Sequence, residues 1–172
     1  MLRYRFRPFT RADLPMAERW LKTPELVRWW GDPSAQLALL KEDLDEPLMQ
    51  QWIVEHRGRA FAYVQAYEAH AWPQAHLQHL PRGAQVLDVF VGEPDMLARG
   101  HGSAFLLELA GMLTDEGAPL VAIDPAVDNV RARRAFARAG FAEEAILQAE
   151  QGQVALLVFR TRHRGGERNG SR

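Results

Sequence analysis

Leu2, Tyr4 and Phe6 alternate with Arg3, Arg5 and Arg7 at the start of the chain. A period of two predicts a strand over residues 2–9 with one buried face. Thr10 and Asp13 have the spacing of a capping box, and Leu14, Ala17 and Leu21 recur at helical intervals, so a helix is expected over 11–22. Pro24 can open a second, short helix that Gly31 and Pro33 break. Residues 34–46 read as a third, with Leu37, Leu40 and Leu44 inward and Lys41, Glu42, Asp43, Asp45 and Glu46 on the other face, an acidic run that is ordinarily solvated but would also attract a polycationic ligand. Two strands follow, 49–55 and 59–67, turning at Arg57-Gly58. Residues 68–83 lack a period and contain Pro73 and Pro81, which predicts a long loop of the kind that commonly carries function.

The second half begins with QVLDVFV at 85–91, β-branched and apolar except for Asp88. A turn region over 92–99 leads into a helix over 100–116, with Phe105, Leu106, Leu109 and Leu113 on one side. A short buried strand is expected at 120–123 and a helix over 129–139, capped by Gly140. A hairpin of 146–150 and 153–160 closes the fold around Gly152, and the polar, glycine-rich residues 163–172 read as a tail. The order is strand, helices, three strands, helix, strand, helix, two strands. It predicts one α/β domain of the α+β type over 1–162, with a mixed, mostly antiparallel sheet of six to seven strands flanked by helices. The lack of regular βαβ alternation argues against a doubly wound nucleotide fold.

Composition narrows the function. With 172 residues the chain suits a single domain, and 47% hydrophobic with 25% charged residues is ordinary for a globular protein. The net charge of −1 is far from that of a dedicated nucleic-acid binder. There is no cysteine, which excludes disulfides, thiolate catalysis and cysteine-ligated zinc. His70, His76 and His79 cluster in the long loop but have no evident partner carboxylate, so no metal site is assigned. No signal-like or membrane-length apolar run is present, and the expectation is a cytoplasmic protein, monomeric or homodimeric.

Two segments carry candidate chemistry. In LARGHGSAFLLELA a strand runs into a glycine turn that opens a helix. Unpaired amides at a helix start, two glycines and Arg99 suit a pyrophosphate, although a plain helix cap has the same features. In LVAIDPAVDNVRARRAFARAGF a buried strand ends at Asp124-Pro125 and Asn129 opens a helix. Together the two resemble the acetyl-CoA-binding half of the GNAT N-acyltransferase superfamily. Gly100 and Gly102 match its Gln/Arg-x-x-Gly-x-Gly/Ala loop, with Leu97 a departure at the first position. Asn129, Ala132, Gly140 and Phe141 match its second pattern, and Phe136 stands where a tyrosine is common. The segment ELVRWWGDP is similar to the Trp-Trp-Gly signature of aminoglycoside 6′-N-acetyltransferases and siderophore acyltransferases. AYVQAY, Asp88 and Ile123-Asp124-Pro125 also resemble the aminoglycoside group.

The resemblance implies acetyl-CoA as co-substrate and a small, polycationic, aminoglycoside-like amine as acceptor, acetylated by direct attack on the thioester. It implies cofactor contacts from Val89, Phe90 and Val91, from Arg99, Gly100, His101, Gly102 and Ser103, and from Asn129, Arg131 and Phe136. Asp88 would bind the ammonium and accept its proton, and Asp124 would share the catalytic site. An ordinary strand-edge carboxylate paired with an arginine, and a turn aspartate, are the plainer readings of these two. Trp29, Trp30, Tyr67, Glu68 and Trp72 would surround the acceptor, though each tryptophan could simply pack in the core. No nucleic acid or membrane enters as a partner. A siderophore-precursor acyltransferase and a non-catalytic acyl-CoA-binding domain remain the alternatives; Phe136, which has no proton to give, keeps the latter open.

Overall fold

The computed structural model describes residues 2–161. The tail read at 163–172 lies outside them. Seven strands form one sheet in the order β1-β2-β3-β4-β5-β7-β6. They are β1 (Arg5–Pro8), β2 (Gln50–His56), β3 (Arg59–Glu68), β4 (Gln85–Val91), β5 (Val121–Ile123), β6 (Ala142–Ala149) and β7 (Gly152–Phe159). Every neighbouring pair is antiparallel except β4 with β5. Five helices flank the sheet among the described residues: α1 (Leu14–Leu21), α2 (Pro24–Trp30), α3 (Pro33–Asp43), α4 (His101–Asp115) and α5 (Val130–Arg138). None is long and apolar enough to cross a membrane.

Strand alternation sorts the side chains into two layers. On one face Val54, Ala62, Val64, Leu87, Ile123 and Leu157 pack with Phe105, Leu106 and Leu109 of α4. On the other, Ile53, Tyr63 and Phe90 lie under Trp20, Leu26 and Leu40 of α1–α3. Further along that second face, Tyr67, Val86, Ala122 and Leu156 lie under Leu77 and Leu80 of the 69–83 loop. Asp88 sits between Val86 and Phe90, so it belongs to this second face, at the gap between the helical layer and the loop.

The long loop expected over 68–83 is present between β3 and β4, and it is ordered internally. Ala75–Leu77 form a turn of 3₁₀ helix, and Ala69, Leu77, Leu80 and Ala84 are buried. Its ends are joined by Ala69 N–H donating to Ala84 O at 2.9 Å. The third helix also stops earlier than its acidic run suggested, at Asp43, and β6 begins earlier, at Ala142.

The sheet opens at one place. β4 and β5 pair over only three residues, from Gln85 with Val121 to Leu87 with Ile123. Beyond Ile123 the chain turns toward β7: Pro125 O accepts from Ala155 N–H, and Ala126 bridges Val154. The edge of β4 from Asp88 to Val91 that faces β5 is therefore left without a strand partner, and a cleft runs through the sheet there.

Candidate active site

One side of this cleft is built by α4 and α5. Gly100 caps α4 in the left-handed region at φ 82°, and Ala98 two residues earlier also has positive φ, 58°. The first helical bond runs from Ala104 N–H to Gly100 O, at 3.1 Å. The amides of His101, Gly102 and Ser103 consequently have no intrahelical acceptor and carry the helix's partial positive charge. A Cβ on Gly100 would meet nothing within 4 Å and one on Gly102 only Val91, at 3.9 Å, so the space over these amides is open. Ser103 Oγ is already committed, donating to Ala135 O at 2.8 Å and tying α4 to α5. Val89, Phe90 and Val91 line the same open cleft of about 820 Å³, as do Asn129, Arg131 and Phe136. Arg138 lines it too. The sequence reading passed over Arg138; seven residues after Arg131, it shares that residue's face of α5, a spacing that could have revealed it. The residues present suit an extended thioester donor with a pyrophosphate: free strand edge, free amides and two guanidinium groups.

Two of the expected donor contacts are placed differently. Arg99 is exposed and does not line the cleft. The His101 ring turns away from it, bonded to Tyr4 Oη through Nδ1 at 2.9 Å and packed beside His56 and Phe61. Burial, then His56, Arg3 and Arg99, hold its imidazole below the usual histidine range. Only its backbone amide faces the turn's opening.

The other side is a wider cleft, about 1470 Å³, with Asp88 on its floor. Among the described residues no arginine pairs with Asp88. Instead Gln65, its direct cross-strand neighbour, donates from Nε2 to Asp88 Oδ2 at 2.9 Å. Tyr63 Oη donates to Gln65 Oε1 at 2.6 Å, and Gln51 Nε2 donates to Tyr63 Oη at 2.8 Å and to Leu40 O at 3.1 Å. This chain fixes which end of the Gln65 amide faces the carboxylate. Burial, and then the nearby Asp124, push the Asp88 carboxyl up to about 7; Gln65 opposes them and Asp43 adds to them.

Asp124, at the end of β5, lines the same cleft. Its Oδ2 accepts from His76 Nε2 at 2.8 Å, a pair of which only 9% and 15% of the side chains is exposed. The loop sequence offers His76 no partner carboxylate, because that partner lies 48 residues away. Asp43, read with the solvated acidic run, also faces in; burial and then Glu42 and Glu46 raise its carboxyl above the usual range. Its signal was the helical stripe Gln36, Leu39, Leu40 and Asp43, all of which line the cleft.

The aromatic residues divide. Tyr67 lines the Asp88 cleft, accepts from Gln74 Nε2 at 3.3 Å, and is held protonated by burial. Trp30 stands edge-on to Phe90 at 5.1 Å and Trp29 lies under the Arg28 guanidinium; both line both clefts. Trp72 does not reach the lining; it packs edge-on against Tyr67 at 5.3 Å. Glu68 does not reach it either. Its carboxylate accepts from His70 N–H at 2.7 Å and Gly83 N–H at 2.8 Å, so it clasps the two ends of the loop.

The two clefts meet at Trp29, Trp30, Val89, Asn129, Ala132 and Phe136, within one residue of Asp88 in β4. Asn129 Oδ1 accepts from Ala132 N–H at 3.2 Å, so its Nδ2 is the end left for other partners. Phe136 contributes surface and no proton.

The site thus sits in a seven-stranded mixed sheet splayed at the β4/β5 edge, with a glycine-capped helix over the gap. The model of the GNAT acetyltransferase domain matches residues 10–149, and the chain belongs to that family as an acetyltransferase. Among curated proteins it is 25% identical over 164 residues to an aminoglycoside N(6′)-acetyltransferase type 1 of Klebsiella pneumoniae, covering 88% of this chain and 80% of that one. Its fold is similar to a solved AAC(6′)-Ib in complex with coenzyme A and kanamycin, at TM-score 0.80, 23% identity and coverage of 91% and 94%. An aminoglycoside N(6′)-acetyltransferase from Legionella pneumophila is similar at TM-score 0.78, 22% identity and 93% of each chain.

Proposed function

We propose that this acetyltransferase moves the acetyl group of acetyl-CoA to a primary amine of a small polycationic, aminoglycoside-like acceptor. The observation that carries this reading is the charge of the acceptor cleft. Asp43, Asp88 and Asp124 line it, and no lysine or arginine does among the described residues. An acceptor with several ammonium groups fits such a wall, and one with a carboxylate or phosphate does not. The curated relatives named as aminoglycoside acetyltransferases support the same class.

Acetyl-CoA, the co-substrate of the family, supplies an acetyl group activated as a thioester. The backbone of Val89 to Val91 offers hydrogen-bonding groups to an extended arm, and the amides of residues 101–103 with Arg131 and Arg138 oppose a pyrophosphate. Asp88 anchors the reacting ammonium and accepts its proton, directly or through water. An aspartate at its ordinary value near 3.9 would be a poor base for an amine. Burial lifts Asp88 to about 7, close to where a general base works best at neutral pH. The free amine then attacks the carbonyl carbon, and holding both reactants where the clefts meet is worth up to roughly 7–11 kcal/mol. Phe136 gives the leaving thiolate no proton; with an ordinary thiol value of about 8.5, it departs unaided or takes one from water.

Thiol release with acetyl-CoA and a panel of kanamycin, tobramycin, spermidine, N-hydroxylysine and a short peptide tests the reading. Turnover is expected on the aminoglycosides, with the acetylated nitrogen located by NMR. Preference for the peptide or the hydroxylamine would contradict it.

A further inference from the structure

We propose that His76, oriented by Asp124, is the proton exit of the acceptor cleft: it receives, through cleft water, the proton that Asp88 takes from the amine and releases it to solvent. The inference rests on the function proposed above. When an ammonium becomes an amide, its nitrogen gives up two protons. Sulfur takes one on becoming a thiol, and the other must leave the protein in every turnover. Asp88 cannot pass it inward. The Gln65–Tyr63–Gln51 chain behind it ends on the carbonyl of Leu40, a closed, buried terminus.

His76 has the right connections. Its Nε2–H donates to Asp124, and because an ionised carboxylate only accepts, this bond leaves Nδ1 with its lone pair. No described residue hydrogen-bonds to that Nδ1. Nor is it sealed off: the single enclosed side-chain nitrogen or oxygen without a partner among the described residues is His56 Nδ1. In the transfer, the O–H bond of protonated Asp88 breaks and an N–H bond forms at Nδ1. The imidazolium faces Asp124, Asp88 and Asp43 across the cleft, with the neutral Tyr67 beside them and no lysine or arginine. It then returns its proton to water. Buried Leu77 and the Glu68 clasp hold the loop that carries it.

The test is turnover of the best amine from the panel by wild type, His76→Gln, Asp124→Asn and Asp88→Asn, in weak buffer and with added imidazole, each variant checked by thermal melting. His76→Gln keeps a donor for Asp124 and lacks a proton acceptor. Its kcat is expected to fall about 10²-fold, the low end for a positioned proton-transfer group, with KM for the amine little changed and imidazole restoring much of the loss. Asp124→Asn, which still accepts from Nε2–H but cannot balance the imidazolium, is expected to show a smaller loss that imidazole also relieves. Wild-type kcat in His76→Gln overturns the proposal, as does a loss that imidazole leaves untouched. If Asp88→Asn alone is inactive, the exit is wrong and the function stands. A wild type that acetylates no amine removes both.

Discussion

Burial and the neighbouring Asp124 hold a proton on Asp88 up to about pH 7, while an unfolded aspartate loses it near 3.9. Between those values the folded chain binds more protons than the unfolded one, so stability falls as pH rises through the window. The penalty is absent below about pH 4 and complete above 7, where it is on the order of 4 kcal/mol at most. Asp88→Asn should therefore melt higher than wild type at pH 8 and equally at pH 4, although it is expected to be inactive. Equal melting at both would mean that Asp88 is not strained by its surroundings. Gln65 pulls the other way, stabilising the charged form. In Gln65→Leu the acidic limb of kcat/KM should move up by about one to two pH units, since a hydrogen bond to a charged group is worth about 1.5–3 kcal/mol. An unmoved limb would separate Gln65 from the base. Asp88 was legible in the sequence because a lone charge in VLDVFV has few places to go. Its partners Gln65 and Tyr63 were not, since a pairing between strands depends on register. His76 and Asp124 were both visible as residues, but nothing in a linear sequence joins positions 48 apart.

At the scale of elements, β4 and the glycine turn into α4 stood out because β-branched alternation and a capping glycine are local signals. The 69–83 segment was legible as a loop but its internal order was not, because that order comes from tertiary packing of Leu77 and Leu80 and from the Glu68 clasp. The solvated reading of the acidic run of α3 fails at Asp43 for a related reason: Asp43 lies one turn after buried Leu40 and follows it inward. The clasp has a functional consequence. Glu68 touches neither cleft, yet it clasps the loop that carries His76 and packs beside Tyr67. Glu68→Ala should raise KM for the amine several-fold and leave KM for acetyl-CoA unchanged, as steady-state kinetics with each substrate varied would show. A change confined to acetyl-CoA would place the loop on the wrong side of the chemistry.

For the molecule as a whole, the three-residue β4/β5 pairing opens the sheet and leaves two clefts, one with free helix amides, Arg138 and an Arg131 paired with Glu25, the other lined by Asp43, Asp88 and Asp124. A net charge of −1 conceals this separation. Composition alone therefore argues against a dedicated nucleic-acid binder but does not locate a cation site. Acidic groups concentrated in one cleft should make KM for a polycationic amine rise with ionic strength more steeply than KM for a monoamine, because salt screens each added charge. Parallel dependences would argue for a neutral acceptor site. The most direct measurement is the pH dependence of kcat/KM for wild type and Asp88→Asn with kanamycin and acetyl-CoA. The expected result is a wild-type rise through a midpoint near 7, with Asp88→Asn lower by at least about 10²-fold across the range. An Asp88→Asn enzyme that follows the wild-type curve would show that the amine loses its proton elsewhere, and the account of this site would fail.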